Sequence, residues 1–187
     1  MLRLFYAIVL GIVGAGIVHI VVLLLIPRYS EQDAWTLISE AGPAYAMAPL
    51  KGSAAGEAVL SDADPMFDVA VCRFDLSDGT VQISGEGRVP FWSLSVFDRR
   101  GSNIYSLNDR SATDGRLDIV IATPAQMLEL RKAPPEQYAE AVIIEADTEE
   151  GIAVLRSFVP DATWGPIVAR HLAEVACESA NDVPDAG

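Results

Sequence analysis

From Leu4 to Ile26 the chain carries no charged residue: LFYAIVLGIVGAGIVHIVVLLLI. As a helix this run is roughly 34 Å long, enough to cross a hydrocarbon core of about 30 Å. Such a segment decides the solvent and the redox setting in which the rest of the chain folds. Two readings compete, a retained anchor and a cleaved signal peptide. The apolar region of a signal peptide is shorter and is followed closely by small residues. Here Pro27-Arg28-Tyr29 follows, and Ala44-Tyr45-Ala46 is too distant, so the retained anchor is the expectation. The remaining 160 or so residues suffice for one domain with its own core.

The chain has 13 Lys+Arg and 26 Asp+Glu, a net charge of −13. Arg3 and Arg28 flank the apolar run and the first acid is Glu31, so the part beyond Arg28 has 11 bases against 26 acids, a net of −15. That surface repels nucleic acid and anionic lipid, so no nucleic-acid partner is expected. A cation or a basic partner suits the charge, and so does plain solubility. The short amino end carries Arg3 and the α-amine with no acid, which favours the amino end in the cytoplasm and the carboxyl domain outside.

Within the span Ala7, Gly11, Ala15 and His19 recur every four residues and share one helix face. Small residues at that spacing let a second helix approach closely, and Gly14 and Gly16 widen the groove. An imidazole facing lipid is costly, so His19 should meet a partner helix or a water defect. The partners implied are the bilayer itself and another membrane protein, or a second copy, through this helix.

Beyond the span, Ser30-Glu31-Gln32-Asp33 predicts a helix start, with Ser30 as cap, and Gly42-Pro43 predicts its stop. From Gly42 to Pro65 the Ala, Gly, Pro and Ser content predicts an irregular connection. Strands are then expected over 69–74, 81–83, 91–97, 103–107, 117–121, 142–144 and 152–158. In the third, Trp92, Leu94 and Val96 face one side and Ser93 and Ser95 the other. Thr123-Pro124 opens a short helix through Leu130, and a last helix follows Asp161 with Trp164, Val168, Leu172 and Val175 on its apolar face. An acidic turn, Asp147 to Gly151, lies between the last two strands. The division expected is 1–28 anchor, 29–66 helix and connection, 67–177 β domain with its carboxyl-terminal helix, and 178–187 disordered tail. Short strands at roughly ten-residue spacing predict a mainly β fold with flanking helices, an antiparallel β-sandwich of jelly-roll type behind one transmembrane helix.

Catalytic motifs are absent. There is no P-loop, no H-E-x-x-H and no G-x-S-x-G. Of the two histidines His19 is in the span, and His171 is read as a partly exposed helix residue. The turn acids Asp75/Asp78, Asp147/Glu149/Glu150 and Asp62-Ala63-Asp64-Pro65 serve backbone geometry, and no metal or cofactor is expected. Cys72 is expected on a strand and Cys177 at the end of the last helix. Outside the cytoplasm two cysteines invite a disulfide, which would close a loop of about 105 residues and stabilise by roughly 4 kcal/mol. Two unrelated buried thiols are the alternative. Asp98, Tyr105, Asn108 and Arg110 form a candidate binding patch at one mouth of the sandwich, open to a small molecule or a peptide. Structurally, Arg110 can instead pair with Asp98 or Asp109 and pin a hairpin.

LRLFYA with the glycine-rich span, HIVVLLL-IP, FDVAVCRFDL, FWSLSVFD, ATPAQMLELRK and FVPDATW together resemble the domain-of-unknown-function 1254 family, in particular its small membrane-anchored bacterial members. The likeness covers nearly the whole chain. The middle is also similar to the sister 1214 family, with patterns like F-W-S-x-x-x-Y-D and N-R-Y-x-(I/L)-x-D-R. Here Phe97 stands where that pattern has Tyr and Ile104 where it has Arg. The Pro-Asn-x-Asp-Thr-type motif of larger relatives is absent. The resemblance implies a β-sandwich, an envelope location in a Gram-negative, alphaproteobacterial cell, and a sister 1214-type membrane protein as partner. Taken together, the expectation is a single-pass inner-membrane protein whose periplasmic domain is an accessory or interaction subunit. A small-molecule or peptide binder is the second expectation, and an enzyme the last.

Overall fold

The computed structural model describes residues 2–60, 64–86 and 89–180. The chain forms two units, Met1–Trp35 and Thr36–Gly187.

The first unit is helical. Helix α1 runs over Leu2–Ala41. Within its first 25 residues, Leu2–Ile26, an 18-residue window reaches a mean hydropathy of 2.9 and none of that window is buried, so the helix is long and apolar enough to cross a membrane. The new start expected at Ser30 is not seen. The helix is unbroken there and ends where Gly42-Pro43 withdraws helical propensity. The capping side chains of Ser30 and Asp33 lie outside the described residues, as does Asp62 of the calcium-like run.

In the second unit the expected irregular connection holds two short elements, β1 (Ala48–Pro49) and α2 (Ala54–Val59). Ser53 caps α2, its Oγ accepting from the Gly56 amide at 2.9 Å. Tyr45 fastens this segment to the sheet. Its amide donates to the Arg73 carbonyl at 3.0 Å, and its hydroxyl donates to the Asp75 carbonyl at 2.8 Å and Asp78 Oδ2 at 2.6 Å. Burial and the Asp78 carboxylate push that hydroxyl's pKa up to about 12.

The strands are β2 (Phe67–Asp75), β3 (Val81–Gly85), β4 (Trp92–Asp98), β5 (Asn103–Asn108), β6 (Leu117–Ala122), β7 (Val142–Glu145), β8 (Glu150–Phe158) and β9 (Ala176–Ser179). In β4 the alternation holds: Trp92, Leu94 and Val96 are buried, and Ser93 and Ser95 half-buried. Helix α3 (Pro124–Lys132) opens with Pro124 in its first turn and a capping box. The Thr123 amide donates to Gln126 Oε1 at 2.8 Å, and the Gln126 amide to Thr123 Oγ1 at 3.3 Å. Helix α4 covers Gly165–Glu174, approached through Asp161, whose carboxyl is held below its usual range by hydrogen bonds from the Thr163 hydroxyl and amide.

Two sheets result. The first has the order β1-β2-β8-β4-β5 and is antiparallel throughout; the second has the order β7-β6-β3-β9. In the second, β6 and β7 are parallel, which corrects the expectation of a wholly antiparallel fold. The chain leaves β6, passes through α3 and returns alongside, the crossover that parallel neighbours require. The acidic turn after β7 leads from the second sheet into the first. The apolar core is one cluster fed by both sheets: Ala70, Phe74, Leu94 and Leu155 from the first, Ile83 and Ile119 from the second, with Val168 and Leu172 from α4.

Cys72 on β2 and Cys177 on β9 are joined by a disulfide with Cα atoms 6.5 Å apart. Cys177 does not end the last helix, as its sequence position suggests, but sits in β9. The bond therefore ties sheet to sheet. The tail expected from Glu178 is not seen at its first residues, because Glu178 and Ser179 pair with Gln82 and Val81. Residues 181–187 lie outside the described residues.

Candidate functional site

The four residues of the expected patch do not converge. Asp98 ends β4, and its Oδ1 accepts from the Arg100 and Ser102 amides at 2.9 and 2.8 Å. It thereby builds the turn in which Gly101 takes φ +79°, a conformation that suits glycine. Asn108 lies opposite Ser93 at the far end of the hairpin. Its Oδ1 accepts from the Arg110 and Ser111 amides at 3.0 and 3.2 Å. Ser93 and Asp98 are five residue steps apart along the strand, about 17 Å. Tyr105 lies between the two ends, opposite Val96 and 39% exposed. Arg110 is exposed, and no ion pair among the described residues involves it or ties it to Asp98 or Asp109. Asp98 and Asn108 thus shape the two ends of one hairpin.

The concave surface lies elsewhere, in two clefts of about 420 and 510 Å³ that share Glu86 and Arg116. The smaller is lined by the ends of β3 and β6 and by Glu174 of α4; Ser84 and Asp118 are on its wall. The larger is lined by Trp92, Asp109, Asp114 and Gly115. Trp92 is held in place because its Nε1 donates to the Gly115 carbonyl at 3.2 Å. The Asp109 amide donates to the Trp92 carbonyl at 3.2 Å, while Asp109 Oδ1 is buried with no hydrogen-bond partner among the described residues. Arg116 pairs with Glu140. Among the described residues the two clefts are lined by five carboxylates, Glu86, Asp109, Asp114, Asp118 and Glu174, and one guanidinium, a setting that favours hydrogen-bond donors and cations. Among the described residues no three His, Cys, Asp or Glu side chains come together to hold a metal ion.

No sequence pattern marks these clefts. Glu86, Asp109, Asp114 and Arg116 lie in turns around strand ends, at no diagnostic spacing; the pairing of β3 with β6 brings Glu86 to Arg116, and the bonds of Trp92 to Asp109 and Gly115 bring in the rest.

His171 departs from expectation. It is 4% exposed rather than partly exposed, and neither ring nitrogen has a geometric hydrogen-bond partner among the described residues. Burial lowers its pKa, opposed by the Glu86 backbone and the Glu174 carboxylate.

Fold and clefts together define a β-rich domain of two sheets, following one apolar helix long enough to span a bilayer. Residues 67–178 match the model of the family described as protein of unknown function (DUF1254). This chain belongs to that family. No curated protein matches it. Among solved structures it is similar to the VPA0106 protein from Vibrio parahaemolyticus, with a TM-score of 0.57 and 9% identity over 81% of this chain and 35% of that one. It is also similar to an uncharacterised protein from Burkholderia cenocepacia, with a TM-score of 0.47 and 13% identity over 84% of this chain and 42% of that one. The chain spans well under half the length of these solved relatives. The first of these likenesses bears on the fold alone.

Proposed function

We propose that this is a single-pass inner-membrane protein of a Gram-negative envelope, with its acidic domain in the periplasm acting as an accessory or interaction subunit. The observation that carries this reading is the unburied apolar run Leu2–Ile26. Such a surface is stable in hydrocarbon and not in water. Arg3 on the short amino flank supports the orientation. The core shared by the two sheets supports a sandwich architecture for the domain.

The proposed partner is a 1214-type membrane protein, or a second copy, meeting the helix face of Ala7, Gly11, Ala15 and His19. A Cβ added at Gly11 meets nothing within 4 Å in the single chain, so Gly11→Leu leaves the monomer intact and blocks only close helix approach. Cross-linking in membranes should show an adduct that Gly11→Leu abolishes. An adduct of unchanged yield rules out this face. Topology is checked separately. The intact chain should resist a carbonate wash, and a carboxyl-terminal phosphatase fusion should be active. Release of the intact chain by carbonate, or a reporter that works only in the cytosol, overturns the proposal.

A second reading, a domain that binds a small cationic molecule, is favoured by the paired clefts and by the unpartnered Asp109 Oδ1. A ligand at 100 times its dissociation constant adds about 2.7 kcal/mol of stability. In a thermal-shift screen with polyamines and amino sugars, Asp109→Asn should erase any shift. Arg110→Ala should preserve it, because Arg110 lines neither cleft. The opposite pattern moves the site back to the hairpin, and no shift with either class removes the reading.

A further inference from the structure

We propose that α4 is an acid-released latch: protonation of His171 frees this helix from the core, while the Cys72–Cys177 bond keeps the following strand β9 in place. This depends on neither a partner nor a ligand and is independent of the function proposed above.

The geometry sets the device up. Helix α4 is the crossing between β8 in one sheet and β9 in the other. Its inward face is Val168, His171, Leu172 and then Val175, all at most 4% exposed. Neither imidazole nitrogen has a geometric hydrogen-bond partner among the described residues, and the Glu86 backbone and the Glu174 carboxylate offset only part of the cost of burying a charge there. Among the described residues, Glu174 of α4, one turn on, is the charged group that acts on it, and the segment after β3 contributes the Glu86 backbone. Of the elements packed on α4, β1 has no titratable residue, and the core-facing positions of β8 are Gly151, Ala153, Leu155 and Ser157. The core-facing acid of β2 is Asp68, already held by Lys51 at 2.7 Å.

The sign follows from linkage. Docked, the imidazole is held below its usual range by burial. Undocked, it returns to water and an ordinary value of about 6.5. The undocked form therefore binds the extra proton, and undocking is favoured as pH falls through that value toward the docked one. One linked proton limits the effect to about tenfold per pH unit. A ten-residue helix is marginal on its own, so release from the core also melts it. The disulfide on β9 confines the change to α4 and makes it reversible.

The test uses the full chain in detergent micelles, in which His19 and His171 are the only histidines. Imidazole NMR follows protonation, and hydrogen exchange, corrected for its intrinsic pH dependence, follows α4. Below about pH 6.5 the protection of amides 168–175 should fall by up to about tenfold per pH unit and level off where the His171 ring itself titrates, while β2 and β8 stay protected. His171→Gln and His171→Leu should both show flat protection. A His171 ring that titrates without loss of α4 protection overturns the proposal in the unaltered chain, whether or not the variants fold. So does protection that holds down to pH 5, or variants that keep the same pH dependence.

Discussion

Replacing Cys72 and Cys177 together by alanine lowers the unfolding free energy by about 4 kcal/mol. The bond closes a loop of 105 residues, so in the unfolded chain it removes much of the freedom of more than half the sequence. In the chain-entropy account the stabilisation grows with the logarithm of loop length, and this loop is near the upper end of what one bond supplies. Both cysteines are buried, at 0% and 3% exposure, so the alanine pair also loses a little sulfur packing. Denaturant melts of the micelle-bound chain measure the effect. Each single variant breaks the same bond, so the two singles and the double should agree within about 1 kcal/mol. Losses that add instead, or a double variant within about 1 kcal/mol of the unaltered chain, show that the cross-link contributes no loop-closure stability.

Trp92→Ala costs about 3–5 kcal/mol. Trp92 is 2% exposed in the shared core, opposite Ser157 on β8, and its Nε1 donates to the Gly115 carbonyl. Alanine removes the ring, leaves a cavity and strands that carbonyl. Trp92→Phe keeps most of the apolar volume and loses chiefly the hydrogen bond, so it should cost about 1–2 kcal/mol. The gap between the two variants measures the packing. Equal costs show that the indole hydrogen bond outweighs the ring's burial. Since Trp92 also lines the larger cleft, both variants should weaken any ligand found there.

The sequence discloses this fold where local signals and burial agree. The alternation of Trp92, Leu94 and Val96 with Ser93 and Ser95 sets both the strand and its inward face. Thr123, Pro124 and Gln126 together mark the start of α3, because capping is a local interaction. The misses are non-local. Nothing in Ala176-Cys177-Glu178-Ser179 marks a strand; its pairing with β3 makes one. Similarly, the parallel run of β7 along β6 follows from the path of α3, not from the residues of either strand. His171 is a different case. Val168, His171, Leu172 and Val175 keep the helical spacing of a buried face, so the pattern placed the imidazole inside even though its polarity suggested the surface. The clefts are not legible, because their walls come from the ends of β3, β4, β5, β6 and β9 and from Glu174 of α4, far apart in the sequence.

Strand β9 has a consequence for how the chain is made. β3, at residues 81–85, borders β9, which begins at residue 176. The ribosome adds on the order of 5–20 residues per second, so β3 waits roughly 5–20 s for its outer neighbour. During that interval its hydrogen-bonding edge is bare and Cys72 is a lone thiol. A nascent chain of this design is vulnerable to stray strand pairing and mixed disulfides until β9 emerges.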